Sequence, residues 1–292
     1  MAHLLLVGTG LIGGSFALAA RRAGLFERVT GYDRDPAVIR RALELGIVND
    51  SLPGLTVPLG GVDAVAIAVD PRSVADTLVT LLGAGLNAEV PTFDVASVKA
   101  PVIAALQNRL GRLPSGFVPC HPMVGAERRG PAAASADLFA GGRVFLTPVP
   151  ETSDSAVQRI TAWWRECGAE VSLTAADIHD ARVAATSHLP HLVAFACLRR
   201  LADVWDDDLT CFAGPGLRDF SRIAASDPAL WRQIFEANAE RVGDELAGVI
   251  REAERFLGLI RDGRFDALQA ELDVAQATRR RLFPTDGAEN DD

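Results

Sequence analysis

The chain has 292 residues, enough for two modest domains, and 49% of them are hydrophobic against 23% charged, the balance of a folded protein rather than a disordered one. Its 29 basic and 38 acidic residues give a formal charge of −9 with no basic stripe, which argues against nucleic acid or an anionic membrane as partner. No apolar run reaches the ~18–20 residues of a membrane span, and four scattered cysteines (Cys120, Cys167, Cys197, Cys211) without C-x-x-C spacing fit reduced thiols in a cytoplasm and offer no zinc pattern.

Residues 3–7 run straight into a glycine loop, with no basic segment before them and no small-residue cleavage site after, so they read as a strand rather than a signal peptide. Further strands are predicted at 28–32, 64–68, 92–95, 117–120, 144–147 and 170–173, with amphipathic helices between them at 11–22, 36–45 and 74–82. That alternation predicts an α/β domain with a parallel sheet covered by helices on both faces. Beyond Thr174 no strand is expected, only long helical patterns near 175–205, 228–257 and 265–282. The expected organisation is a doubly wound domain over 1–173, an all-helical domain over 174–283 and a frayed Gly- and Asp-rich tail over 284–292.

Gly8-Thr-Gly10-Leu11-Ile12-Gly13 joins the first strand to the first helix. Gly8 permits the tight turn, Gly10 lets backbone approach a pyrophosphate, Gly13 allows close helix–strand packing, and the helix end at Leu11 and Ile12 offers N–H donors. Asp33 ends the second strand 20 residues after Gly13, where a carboxylate can accept both ribose hydroxyls and repel a 2′-phosphate. This predicts a Rossmann-type dinucleotide site with NAD favoured. Arg34 beside it is a residue able to accommodate a 2′-phosphate.

In Asp94-Val-Ala-Ser97-Val-Lys99, Ser97 is placed to cap the following helix, with Pro101 in its first turn. Lys99 is the sole lysine in a chain whose other basic residues are all arginine, which points to a specific need for it. His121 lies at the carboxyl end of a predicted strand, the edge that faces the ligand crevice, and can take a proton from a hydroxyl as hydride leaves the same carbon. The competing reading is a strand-end histidine satisfied by backbone. In Asp177-Ile-His179-Asp180…Ser187-His188-Leu-Pro190-His191, helical spacing puts Asp180, Ser187 and His191 on one face. Pro190 frees the carbonyl of Thr186 and should kink the helix there. Polar groups aligned at a bend suggest a cleft, and the absence of H-E-x-x-H spacing ranks metal binding below it. Gly214-Pro-Gly216-Leu-Arg-Asp219-Phe-Ser-Arg222 is a glycine-bounded turn whose Asp219 and Arg222 can pair at i,i+3, or whose Arg222 can fork onto a carboxylate. Asp227-Pro228 is expected to cap the next helix.

These segments together resemble the prephenate/arogenate dehydrogenase family of tyrosine biosynthesis. The resemblance rests on Gly8 to Gly13 with Asp33, Asp94-Val-Ala-Ser-Val-Lys99, His121-Pro-Met-Val-Gly-Ala-Glu127-Arg-Arg-Gly130, Ser187-His-Leu-Pro-His191, Gly216-Leu-Arg-Asp-Phe-Ser-Arg222, and Asp227-Pro with Trp231. The His-Leu-Pro-His segment is far more specific than the glycine loop. The resemblance implies NAD-dependent oxidative decarboxylation of prephenate to 4-hydroxyphenylpyruvate, with arogenate as the alternative substrate. It implies that His121 is the catalytic histidine, that Ser97 orients the substrate hydroxyl and the histidine, and that His191 and Arg222 line the substrate pocket. Glu127, His179, Ser187, His188 and Asp219 take supporting or gating positions, and two chains pair through the helical domain. The sequence departs from the family at Ala96 and Ala100, where glycine is usual, and at Pro215, which interrupts a run of glycines. β-Hydroxyacid dehydrogenases share the two-part plan, but resemble a design with a lysine on the interdomain helix, and no lysine follows Lys99 here.

Overall fold

The computed structural model describes residues 2–125, 129–204 and 207–284. Strands and helices alternate from the start: β1 (His3–Val7), α1 (Leu11–Arg22), β2 (Arg28–Tyr32), α2 (Pro36–Glu44), β3 (Asp50–Ser51), β4 (Ala64–Ile67), α3 (Pro71–Gly83), β5 (Thr92–Asp94), α4 (Ala100–Leu110), β6 (Phe117–Pro122), β7 (Arg143–Leu146), α5 (Asp154–Glu166) and β8 (Glu170–Leu173). The eight strands form one sheet in the order β3-β2-β1-β4-β5-β6-β7-β8. Strands are added outward from β1 toward β3 on one side and from β4 toward β8 on the other, so the crevice between the carboxyl ends of the parallel β1 and β4 is the topological switch point where α/β sheets bind ligands.

The sheet is covered on both faces because β1 from Leu4 onward and the whole of β4 are apolar and buried. Along β1, Leu4 and Leu6 join one core cluster with Phe16 of α1 and Trp164 of α5. Leu5 and Val7 join a second cluster with Val74 and Leu78 of α3 and Leu106 of α4. This is the period-2 alternation of a strand buried on both sides. Trp164 is fully buried and packs edge-on or tilted against Phe16, Phe93 and Phe139, with ring centroids 4.8–5.3 Å apart.

Two features differ from the sequence expectation. The two-residue β3 has no apolar run, and exists because Asp50 and Ser51 pair with Thr30 and Gly31 of β2. The sheet is also not parallel throughout, because β7 runs antiparallel to β6 while β8 is parallel to β7. Between β6 and β7 the described chain contains only a short 3₁₀ turn at Pro131–Ala133 rather than a crossover helix, so the strand returns reversed.

The helical part contains α6 (Ala176–Val183), a π turn (Ala184–His188), α7 (Leu189–Val204), α8 (Pro215–Ser221), α9 (Pro228–Ala237), α10 (Ala239–Arg261) and α11 (Phe265–Leu282). The single helix expected over 228–257 is broken at Asn238, whose backbone leaves the helical region at φ −122°, ψ 31°. Chain contacts divide the protein into two compact units, 1–242 and 243–292. The first holds the sheet and helices α1 to α9. In the second, Arg255 bonds Glu252 and, at 2.8 Å, Glu271, tying α10 to α11 across the turn at Gly263. No helix among the described residues is long and apolar enough to cross a membrane.

Candidate active site

A cleft of about 820 Å³ opens at the switch point, lined by Gly8, Gly10, Ile12, Asp33, Arg34, Ser97 and His121 among others. The glycine loop is shaped for close approach. Gly8 sits at φ +91°, donates to the carbonyl of Tyr32 at 2.8 Å, and a Cβ on it would lie 2.1 Å from the carbonyl oxygen of Ala68. A Cβ on Gly13 would lie 2.2 Å from the carbonyl oxygen of Gly8 and 2.8 Å from the Ala68 side chain, so glycine there lets α1 rest against the strands. Gly10, by contrast, faces open space. It is the N-cap of α1 and no side chain caps the helix, which leaves the amide donors at Leu11 and Ile12 for a phosphate. These residues fit a dinucleotide. Asp33 is held rigidly, accepting from Thr9 N–H at 2.9 Å on Oδ2 and from Asp35 N–H at 3.1 Å on Oδ1. Arg34 is drawn aside to Asp70 at 3.3 Å.

His121 is not at the free end of its strand. β6 continues to Pro122 because Cys120, His121 and Pro122 register against Leu146, Phe145 and Val144 of β7, which locks the histidine within the sheet. Its Nδ1 lies 2.9 Å from Nε2 of His179, whose Nδ1 lies 2.7 Å from Oδ1 of Asp180. A carboxylate only accepts, so His179 carries a proton on Nδ1, and in its neutral form its Nε2 accepts from His121. His121 therefore donates through Nδ1 and keeps the lone pair of Nε2 free. Burial holds His121 well below the ordinary histidine pKa, reinforced by His179, Lys99 and His188. It is a neutral base at physiological pH. Burial pushes the Asp180 carboxyl up, but His179 and the N–H groups of Lys99 and Ala100 outweigh it and hold Asp180 below its usual value.

Those two N–H bonds, at 2.9 and 2.8 Å, correct the expected helix cap. Lys99, not Ser97, is the N-cap of α4, and Asp180 satisfies the helix end from 81 residues away in sequence. Ser97 is left to line the cleft with His121.

The π turn supplies a second correction. Pro190 has no N–H to give, and the helix absorbs one extra residue at 184–188 ahead of it. The extra residue moves His188, rather than Ser187, onto the Asp180 side. Asn238 Nδ2 bridges them, donating to the Asp180 carbonyl at 2.9 Å and to His188 Nδ1 at 3.3 Å. Burial lowers His188 to about 4. His191 turns the other way, donating from Nδ1 to the Ser187 carbonyl at 2.8 Å and stacking on Trp231 at 3.7 Å between centroids. Burial lowers its pKa, opposed by the Ser187 carbonyl and reinforced by the positive charge of Arg222. Arg222 and Asp219 are both exposed, and among the described residues no ion pair joins them. Asp227 caps α9 as expected, accepting from Ala229 N–H at 2.7 Å.

The structure thus brings the glycine loop, Asp33, Ser97 and His121 to one cleft, with His179 directly behind His121. His188, His191, Ser187, Arg222 and Asp219 do not line that cleft, and Glu127 lies outside the described residues. Nothing in the sequence marks Asn238 as part of this network. Its only signal there is an amide inside an otherwise continuous helical pattern.

A parallel-dominated sheet with a dinucleotide cleft at its switch point, and a neutral histidine base at the cleft wall, define an NAD-dependent dehydrogenase. The chain matches the family models "Prephenate dehydrogenase, nucleotide-binding domain" over residues 16–173 and "Prephenate dehydrogenase, dimerization domain" over 175–274. It belongs to the prephenate dehydrogenase family. It is 31% identical over 283 residues to the cyclohexadienyl dehydrogenase of Zymomonas mobilis, covering 96% of each chain. It is 32% identical over 260 residues to the prephenate dehydrogenase of Bacillus subtilis, covering 87% of this chain and 68% of the relative. Among solved structures, prephenate dehydrogenase from Aquifex aeolicus in complex with hydroxyphenyl propionate and NAD⁺ matches with a TM-score of 0.87 at 31% identity, covering 97% of this chain and 98% of the other.

Proposed function

We propose that this protein oxidatively decarboxylates prephenate to 4-hydroxyphenylpyruvate. The observation that carries the reading is His121 lining the cleft that the glycine loop shapes for a dinucleotide, with its Nδ1 engaged by His179. NAD⁺, when bound by the loop from Gly8 to Gly13 and by Asp33, supplies the hydride acceptor. His121 Nε2 accepts the hydrogen bond of the substrate's C4 hydroxyl and so raises electron density on that oxygen as the C4–H pair departs. The electron pair of the C1–carboxylate bond moves into the ring, CO₂ leaves, and the ring becomes aromatic. Aromatisation supplies the driving force, so the protein's task is alignment.

Ser97 is assigned to orient the hydroxyl against His121, and its place in the same cleft supports that role. His191 and Arg222 are assigned to the substrate's carboxylate end, Arg222 through its fork of donors. Their mutual electrostatic influence supports placing them together. Glu127, Ser187, His188 and Asp219 are assigned supporting roles around that end on the family resemblance. The active form is a cytoplasmic homodimer paired through the helical part, in keeping with the dimerization model that matches there.

Arogenate is the second reading, favoured by the name of the Zymomonas relative, which is not confined to prephenate. Absorbance at 340 nm with purified protein, prephenate and NAD⁺ or NADP⁺ tests the first reading. NADH formation from prephenate is the expected result. A flat trace with prephenate but turnover with arogenate would transfer the assignment, and silence with both acids would remove it.

A further inference from the structure

Lys99 and Asp94 are fully buried, and neither lines the cleft. Their ion pair lies under the strand that carries His121. Lys99 Nζ donates to Asp94 and, at 2.6 Å, to the carbonyl of Cys120. Asp94 accepts the N–H of Cys120 at 3.3 Å on Oδ1 and the N–H of Ala96 at 3.0 Å on Oδ2. The pair therefore grips both polar groups of the residue before His121, and one from the residue before Ser97. The main-chain N–H of the same Lys99 bonds Asp180, which bonds His179, which bonds His121. One lysine closes a circuit that holds the backbone of His121 from one side and its ring from the other.

We infer that the Asp94–Lys99 pair is a positioning device for His121, fixing strand and imidazole together so that Nε2 faces the substrate hydroxyl. A buried ion pair is a poor way to gain stability compared with apolar packing, so its retention calls for another reason. No apolar side chain could bond the Cys120 carbonyl. A guanidinium, planar and forked, cannot replace a compact ammonium that donates in two directions from an unbranched stem. This accounts for the one lysine in a chain that otherwise uses arginine. Among the described residues, the charged and titratable groups acting on His121 are His179 from α6, His188 from the π turn and Lys99, with Asp180 bonded to His179 and Asp94 to Lys99. Removing the Lys99 charge raises the His121 pKa, because a nearby cation is lost, and any charge left on Asp94 acts in the same direction.

As a catalytic statement this rests on the proposed reaction, so the test has an arm that needs no turnover. Wild type, Lys99→Met, the neutral pair Asp94→Asn/Lys99→Met, and Phe139→Leu as a buried control in the aromatic core are compared. ¹⁵N-histidine NMR of the enzyme without substrate, with His121 assigned from His121→Asn, reads its tautomer and titration. Steady-state assays give kcat and KM. In Lys99→Met, the expected result is a mixed His121 tautomer, a titration moved to higher pH, kcat at least tenfold lower, and an NAD⁺ KM within twofold of wild type. Phe139→Leu, at a comparable loss of Tm, keeps the wild-type tautomer and kcat within twofold. A wild-type His121 tautomer and titration in Lys99→Met would overturn the inference, as would an equal kcat loss in the control. If Lys99→Met does not fold, the neutral pair carries the same comparison. If the wild type turns over neither acid, the NMR arm decides alone, and failure of the reaction reading stays separate from failure of this one.

Discussion

Two histidines hold their neutral form for different purposes. His121 is neutral with its Nδ1–H committed to His179, which leaves one basic nitrogen toward the cleft. Replacing it with Asn removes the base and leaves the glycine loop untouched. Turnover should fall by about 10²–10⁴, the usual worth of a positioned base, while the NAD⁺ Kd from fluorescence titration stays unchanged. Turnover near wild type would take His121 out of its role. Arg222→Ala should instead raise the prephenate KM more than it lowers kcat, and an unaltered KM would contradict its assignment. His188 is neutral because it is buried under Asn238 and Trp231. Its folded pKa of about 4 lies below the ordinary 6.5, so the unfolded chain binds the proton more readily. The stability it contributes is complete above pH 6.5 and is lost as pH falls toward 4, on the order of 3 kcal/mol in full. Burial of His121 works in the same direction. Urea midpoints should drop steadily between about pH 7 and pH 4.5, and a flat profile there would mean these imidazoles are solvated.

At the scale of elements, the first helix separates two functions of glycine that the sequence shows only as a repeat. Gly10→Ala places a methyl where no protein atom stands within 4 Å, so Tm should hold while NAD⁺ affinity falls. Gly13→Ala drives a methyl into the Gly8 carbonyl and the Ala68 side chain, so both Tm and affinity should fall. Equal Tm losses in the two variants would show that the loop, not the cofactor approach, demands both glycines. Seven of the sheet's eight strands and helix α1 were legible because apolar runs and alternation are local, whereas β3 has no apolar run and shows only through its pairing with β2. The direction of β7 was not, since it depends on which strand edge the returning chain meets. The helix cap was also hidden: Ser97 has the right side chain, but the donor pair of α4 is served by Asp180, brought in by tertiary packing. Pro190 announced a distortion without its form. Only the π turn shows that His188 rather than Ser187 turns toward Asp180, because one extra residue shifts the whole helical register. His121 itself was readable as a base at a strand edge, yet which of its nitrogens is basic depends on His179, 58 residues away.

Among its described residues, the second unit buries almost nothing of its own. In residues 243–292, α11 buries no side chain, and the only buried residue of α10, Val242, precedes the unit. Val249, Ile250, Leu257 and Ile260 are all exposed, and at 100° per residue they fall within about one quarter-turn-and-a-bit of α10, a continuous apolar stripe. Phe265 and Leu272 add a second exposed pair seven residues apart on α11. Two helices of this kind have little core of their own, and in the dimer proposed above a second copy presenting the same stripe would cover it with the self-complementary contact of a two-fold pair. Sedimentation equilibrium should therefore give twice the chain mass of 31.0 kDa. Because only the associated form has the stripe covered, Tm should rise with protein concentration. The double substitution Leu257→Asp/Ile260→Asp sets like charges against each other across the stripe. It should yield monomers whose Tm is lower and independent of concentration, with His121 and the glycine loop left in place on the sheet. A dimer that survives this double variant would move the interface off the exposed face of α10.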